Sequence, residues 1–279
     1  MTGSDHITFQ NSYFENCTSG TNGGGVDWLA GANYGKIYNC IFNGTRAARS
    51  AGAIYYDGWY GDMQNITIIN TISYGNSTID GKVLRTSKDG RVNYARWDSS
   101  HWDTNTTGGD GGAIMFTGSQ NYLYNVTFTN NRAEIGGGLY LNSSAANCTI
   151  IGCDFVRNTA VENGGAIDCN SPNMILQHTL FEYNVADTGA ALCREINASG
   201  GSGFNNTFRY NHALTNGSSL AWINASRISI DTYTFIGNTA GNSGGAIYVG
   251  KGSMSCEILN CVFEDNQITS ITSGHGGAI

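Results

Sequence analysis

A chain of 279 residues with 39 Gly, a single Pro, 40% hydrophobic and only 13% charged residues is neither an ordinary helical domain nor a disordered one. Its Gly, Asn, Ser and Thr suit short strands joined by tight turns, where positive φ and local side-chain hydrogen bonds are needed. The formal net charge of −7, with 14 Lys and Arg thinly spread, offers no basic stripe to neutralise a phosphate backbone, so no nucleic-acid partner is expected.

From the first residues onward, the sequence lacks the basic start and hydrophobic region of a secretion signal. No apolar run reaches bilayer length, and direct membrane insertion of this segment is not expected. The sequence stops on Gly276, Gly277, Ala278 and Ile279, inside a repeated motif. It therefore reads as a segment of a longer protein, with signal and anchor outside it.

A tetrapeptide close to Gly-Gly-Ala-Ile ends at Val26, Ile54, near Leu84, and at Ile114, Leu139, Ile167, Leu192, Leu220, Ile247 and Ile279. Between copies lies Phe-x-x-Asn. It begins degenerate, with Cys17 and Thr45 following Phe14 and Phe42 in place of Asn, and weakens further near Ser73 and Trp97. It then runs regularly as Phe128 with Asn131, Phe155 with Asn158, Phe181 with Asn184, Phe208 with Asn211, Phe235 with Asn238 and Phe263 with Asn266. Such fixed-period self-similarity marks a repeat architecture.

Five residues before each Phe position stands an apolar residue: Phe9, Ile37, Ile68, Val92, Leu123, Ile150, Leu176, Ile230 and Ile258, with Gly203 the exception. Asn11, Asn39, Asn70, Asn125, Asn205 and Asn260 stand three before it. Runs such as 147–155 and 255–263 alternate and read as strands of three or four residues, three per repeat. No such coil can bury its inward residues alone, so coils must stack in parallel and in register. The predicted fold is all-β, a right-handed parallel β-helix (solenoid) of about ten coils of roughly 27 residues each. Residues 1–279 form one segment, degenerate over about 55–110 and regular over about 111–279.

Equivalent positions of neighbouring coils lie about 4.8 Å apart. Phe then stacks on Phe, and Asn131, Asn158, Asn184, Asn211, Asn238 and Asn266 are expected to form a structural amide ladder. The paired Gly supplies positive φ and close backbone approach. Cys40, Cys153 and Cys261 lie two residues before a Phe, and Cys148 and Cys256 seven before it. With no C-x-x-C pair, the eight Cys read as small core hydrophobes, and neither a metal site nor a cofactor is expected.

The pairing of Gly-Gly-Ala-Ile (111–114, 164–167, 244–247) with Phe-x-x-Asn (155–158, 235–238) resembles the repeats of chlamydial polymorphic membrane proteins, and equally those of archaeal adhesin-like surface proteins. The resemblance implies a β-helical, extracellular, cell-surface region used for adhesion, whose partner is a glycan or protein ligand.

Related folds also carry carbohydrate-active enzymes, which need clustered carboxylates, or acidic residues around calcium with a base. The outward position after each tetrapeptide reads Asp27, Tyr55, Arg85, Met115, Tyr140, Asp168, Cys193, Ala221 and Tyr248, placing Asp27 and Asp168 five rungs apart. His275 between Gly274 and Gly276 reads as a turn residue, and Arg194 with Glu195 as a surface pair. No catalytic residue is assigned. A local excess of aromatics is the better site: Tyr55, Trp59, Tyr60, Tyr94, His101 and Trp102 are the predicted ligand-binding residues, since sugars and protein hot spots both favour exposed rings. The alternatives are a polysaccharide lyase or hydrolase, and a purely structural stalk.

Twelve Asn-x-Ser/Thr sequons occur. Asn125 and Asn205 are expected to be too buried in a ladder to be glycosylated, whereas Asn105 and Asn142 fall near turns.

Overall fold

The computed structural model describes residues 6–20, 24–28, 36–43, 45–47, 54–56, 62–69, 72–73, 84–86, 91–98, 114–116, 122–130, 132–133, 135–141, 143, 145–270 and 274–279. They form an all-β parallel β-helix. Every pairing joins a strand to its counterpart in the next coil, in parallel: Phe155 lies beside Phe181, Phe181 beside Phe208, and Phe208 beside Phe235. One nine-stranded sheet runs from Val26–Trp28 to Ile247–Val249 and carries the tetrapeptide's last residue at the start of each strand. A six-stranded sheet runs from Arg132–Ala133 to Gln267–Ile268, and a separate three-stranded one joins Thr18–Ser19, Arg46–Ala47 and Ile72–Ser73. The regular half thus shows six turns with every face in place, against about ten coils expected over the whole segment.

The apolar run 147–155 forms short three-residue strands interrupted by a turn, as its alternation predicts. Thr149–Ile151 and Asp154–Val156 meet at Gly152, whose φ is +62°. The same corner is taken by Asn125 and Asn205, at +57° and +53°. Asn tolerates this left-handed region because its short amide bonds locally. Both residues are exposed, which overturns the expectation that they are buried in the ladder.

The core is a Phe column. Phe128, Phe155, Phe181, Phe208 and Phe235 are all fully buried, and successive rings stack at 4.3, 5.1, 4.5 and 5.1 Å between centroids. Beside it runs an amide ladder. Asn184 Nδ2 donates to the Phe155 carbonyl at 3.0 Å and to Asn211 Oδ1 at 3.0 Å, while Asn184 Oδ1 accepts from the Asn158 backbone N–H at 2.9 Å and from Asn158 Nδ2 at 3.1 Å. The pattern repeats through Asn211, Asn238 and Asn266. Each amide satisfies main-chain groups of the adjoining coils that burial would otherwise leave unpaired. Asn131 lies outside the described residues.

The tetrapeptide glycines are required by geometry. Gly164 has φ +63°, and a Cβ on Gly165 would overlap the carbonyl oxygens of Val185 and Ala190. One register differs from the sequence expectation. Ile37 pairs with Met63 and Phe42 with Ile68, so Ile68 continues the Phe column rather than the apolar column five residues earlier. Ile68 in turn pairs with Trp97. Intervals of 26 and 29 residues along the column result, more even than the 31 and 24 that Ser73 would have needed. The reason is local: Asp62–Ile69 is one uninterrupted eight-residue strand without the left-handed corner, so its phase cannot be found from a corner Asn.

Candidate functional site

Two groups of side chains stand apart from the architectural columns. The first is on the surface. The residue before each ladder Asn occupies a second left-handed corner: Asn130, Arg157, Tyr183, Tyr210, Gly237 and Asp265 all have φ between +54° and +60°. Asn, Gly and Asp suit this conformation, whereas Arg and Tyr are strained there by about 1 kcal/mol or more each. Tyr183 and Tyr210 nevertheless stack at 5.3 Å with an 18° interplanar angle, 44% and 47% exposed. The Arg157 guanidinium lies 5.7 Å from the Tyr183 ring centroid, within cation–π range. At the other end the Tyr210 ring lies over Gly237, where any Cβ would collide with it. On the neighbouring corner, His178 meets the half-exposed Phe204 edge-on at 5.8 Å and bonds Asn205 Nδ2 at 2.9 Å.

The second group lies under the tetrapeptide turns. Tyr140, Asp168, Cys193, Ala221 and Tyr248 are successive register partners, as the sequence column predicts. They alternate with core residues such as Ile167, Cys169 and Leu192, and so face away from the Phe column. The outward face is not solvent here: Asp168 and Cys193 are fully buried. The preceding turn roofs it, since a Cβ on Gly189 would come within 2.9 Å of Cys193 Cβ. Glu195, half-buried, completes a cluster in which the Asp168 and Glu195 carboxylates and the Cys193 sulfur all lie within 4.8 Å of one another. Asn163 Nδ2, from the preceding coil, donates to Glu195 Oε1 at 3.1 Å and fixes that carboxylate.

The electrostatics of the cluster are one-sided. Burial pushes the Cys193 thiol well above its ordinary value, and Asp168, Glu195 and Cys169 push it the same way. Cys169, one rung back and facing inward, is also raised by burial but eased by Arg194. Arg194 belongs to that inner column, between Cys169 and Trp222, and is 3% exposed. Its Nη2 donates to the Gly200 carbonyl at 2.6 Å. Arg194 and Glu195 are therefore not a surface pair: strand alternation and the bend after Arg194 send one into the core and the other to an Asn163 amide.

Of the aromatic residues predicted to bind ligand, Trp59, Tyr60, His101 and Trp102 lie outside the described residues. Tyr55 and Tyr94 are described only as members of the strands Ile54–Tyr56 and Arg91–Asp98. The Tyr183–Tyr210 stack is not marked by the recurring Asn; its signal is the variable residue just before that Asn. The Asp168, Cys193, Glu195 cluster escaped because its members come from two coils and follow no metal-ligand spacing. Its signal was the break from Tyr and Ala to Asp and Cys along one column.

Residues 125–142 and 232–250 match the Chlamydia polymorphic membrane protein (Chlamydia_PMP) repeat, each containing one Phe-x-x-Asn and the tetrapeptide that follows it. The chain is also similar to two proteins of Dictyostelium discoideum. Metabotropic glutamate receptor-like protein R is 27% identical over 157 residues, and metabotropic glutamate receptor-like protein P is 30% identical over 187. Each comparison covers 56% of this chain, but only 10% and 13% of those relatives. The chain thus spans about a tenth of the length of the curated relatives it matches. No solved structure matches it.

Proposed function

We propose that this chain is part of an extracellular, cell-surface adhesin-like β-helix that projects from the cell and binds a glycan or protein ligand on another cell or host. The observation that carries the reading is the match of two segments to the Chlamydia polymorphic membrane protein repeat, in a chain whose described residues form a parallel β-helix. The scaffold suits projection. Coils joined by continuous parallel ladders and a stacked Phe column make a stiff rod, and their repeated residues are consumed in holding it together.

Binding is then left to residues that vary from coil to coil. Exposed aromatic faces and edges are the surface on which sugars and protein hot spots dock. The Tyr183–Tyr210 stack with Arg157 offers one such surface, and Tyr55, Trp59, Tyr60, Tyr94, His101 and Trp102 remain a second. In this reading the chain catalyses no reaction. Glycan-array and cell-binding assays test it, with Tyr183→Ala/Tyr210→Ala and Trp59→Ala/Trp102→Ala variants. Loss of binding in either variant at unchanged Tm supports the reading, and no binding by the parent protein leaves a structural stalk. Product release from acidic polysaccharides, with or without calcium, would instead make it an enzyme.

A further inference from the structure

We infer that Asp168, Cys193 and Glu195 form a binding site for a divalent cation of the zinc class, clasping two successive coils. The inference is independent of adhesion and rests on three observations. First, three ligand atoms of suitable chemistry converge within 4.8 Å, from the register neighbours Asp168 and Cys193 and from Glu195, which follows directly on the strand Leu192–Arg194. A tetrahedral zinc site with oxygen at about 2.1 Å and sulfur at about 2.3 Å holds its donors roughly 3.5 Å apart, so the donors need close by only about 1 Å. Glu195, with the longest side chain of the three and the one that reaches solvent, can supply that movement and the route of entry.

Second, Cys193 is set apart from the other cysteines. Cys17, Cys40, Cys148, Cys153, Cys169, Cys256 and Cys261 each direct their thiol to a main-chain carbonyl. Cys193 makes no hydrogen bond among the described residues, is fully buried, and is aimed at the two carboxylates. A buried polar group without a partner is uncommon, and a sulfur with two oxygens is a donor set that borderline-soft cations accept. Third, Asn163 holds Glu195 from outside the cluster, as outer-shell amides orient metal-ligating carboxylates. Protein donors number three, which leaves a fourth position for water or a ligand atom.

The test uses the full chain, stripped with a chelator and titrated with Co2+ and then Zn2+. The expected result is one Co2+ per chain, a thiolate-to-cobalt charge-transfer band that Zn2+ displaces, and a rise in Tm with either metal, because a cation bound only by the folded state stabilises it. Cys193→Ala should abolish the band. That variant keeps the fold, because Ala221 already occupies the next rung of the same column. Glu195→Gln and Asn163→Ala should each weaken binding at least tenfold, whereas Cys256→Ala and Cys261→Ala should leave it unchanged. Absence of the band in millimolar Co2+, or its survival in Cys193→Ala, overturns the inference.

Discussion

The hydroxyl of Tyr233 occupies the space that a side chain on Gly203 would need. Gly203 is the one gap in the apolar column otherwise filled by Leu123, Ile150, Leu176, Ile230 and Ile258, and a Cβ built there overlaps the Tyr233 oxygen, with Cζ only 2.7 Å away. Tyr233 is 2% exposed, and nearby Asn206 is itself fixed, its Nδ2 donating to the Leu176 carbonyl at 2.8 Å and its Oδ1 accepting from the Thr179 N–H at 2.9 Å. Gly203→Ala should therefore destabilise the chain by about 1–3 kcal/mol, the usual range for overpacking. In a Tyr233→Leu background the same substitution should cost little. Urea unfolding of the four variants in the cycle measures the coupling, expected at about 1 kcal/mol or more, and strict additivity would refute the spatial relationship.

Asn184 sits mid-ladder with every amide hydrogen and both oxygen lone pairs engaged. Asn184→Ala removes the acceptor for the Asn158 N–H and the donor to the Phe155 carbonyl at once. Each buried group left unpaired costs about 1–3 kcal/mol, so a loss near the upper end of the single-mutant range is expected. Because each coil touches only its neighbours, the damage should be local. Hydrogen exchange should quicken at Asn158 and around Asn184 and stay slow at Asn238. Uniform acceleration along the chain would show that the ladder does not act rung by rung.

Alkaline pH should destabilise the protein through its buried thiols and the buried Tyr233 hydroxyl. Burial pushes the Cys153 thiol up to about 12 from an ordinary 9.0, with the Val126 backbone hydrogen bond only partly opposing it. Burial likewise raises Cys169, Cys193 and Tyr233. Folding thus favours the protonated thiol, and between pH 9 and about 12 the unfolded chain binds fewer protons than the folded one. Stability is fully present below the unfolded-state pKa and is lost as pH rises through this window, at up to about 1.4 kcal/mol per pH unit for each such group. Urea midpoints at about pH 8 and about pH 10.5 check the sign. Cys153→Ala should flatten the dependence whatever its effect at neutral pH.

The solenoid was legible because its constraint is translational: what one coil needs, every coil needs, so Phe155, Asn158 and Gly164 recur at one period. Whatever depends on a difference between coils was not. The phase of Ile68 was misread since no corner Asn marks its strand, and the exposure of Asn125 was misjudged because a left-handed surface corner selects Asn as strongly as a buried ladder does. Along the outward column, the burial of Asp168 depends on a turn that folds over it, which strand alternation does not encode. The candidate sites are both of this second kind.

A substitution at Tyr183 separates the stabilising role of the surface stack from a binding role. Replacing Tyr183 by Asn puts a residue that favours positive φ at a corner of +55°, relieving about 1 kcal/mol of strain. It also removes the contact with Tyr210 and the Arg157 cation–π pair, each worth about 0.5–1.5 kcal/mol at an exposed site. The lost contacts outweigh the relieved strain by at most about 2 kcal/mol, so the urea midpoint should fall modestly. If the stack exists to bind ligand, the affinity of cells or glycans for the protein should fall tenfold or more in this variant while Tyr13→Asn, on an exposed strand residue far along the rod, leaves it intact. A Tyr183→Asn protein that binds like its parent but unfolds at clearly lower urea would assign the stack to stability alone.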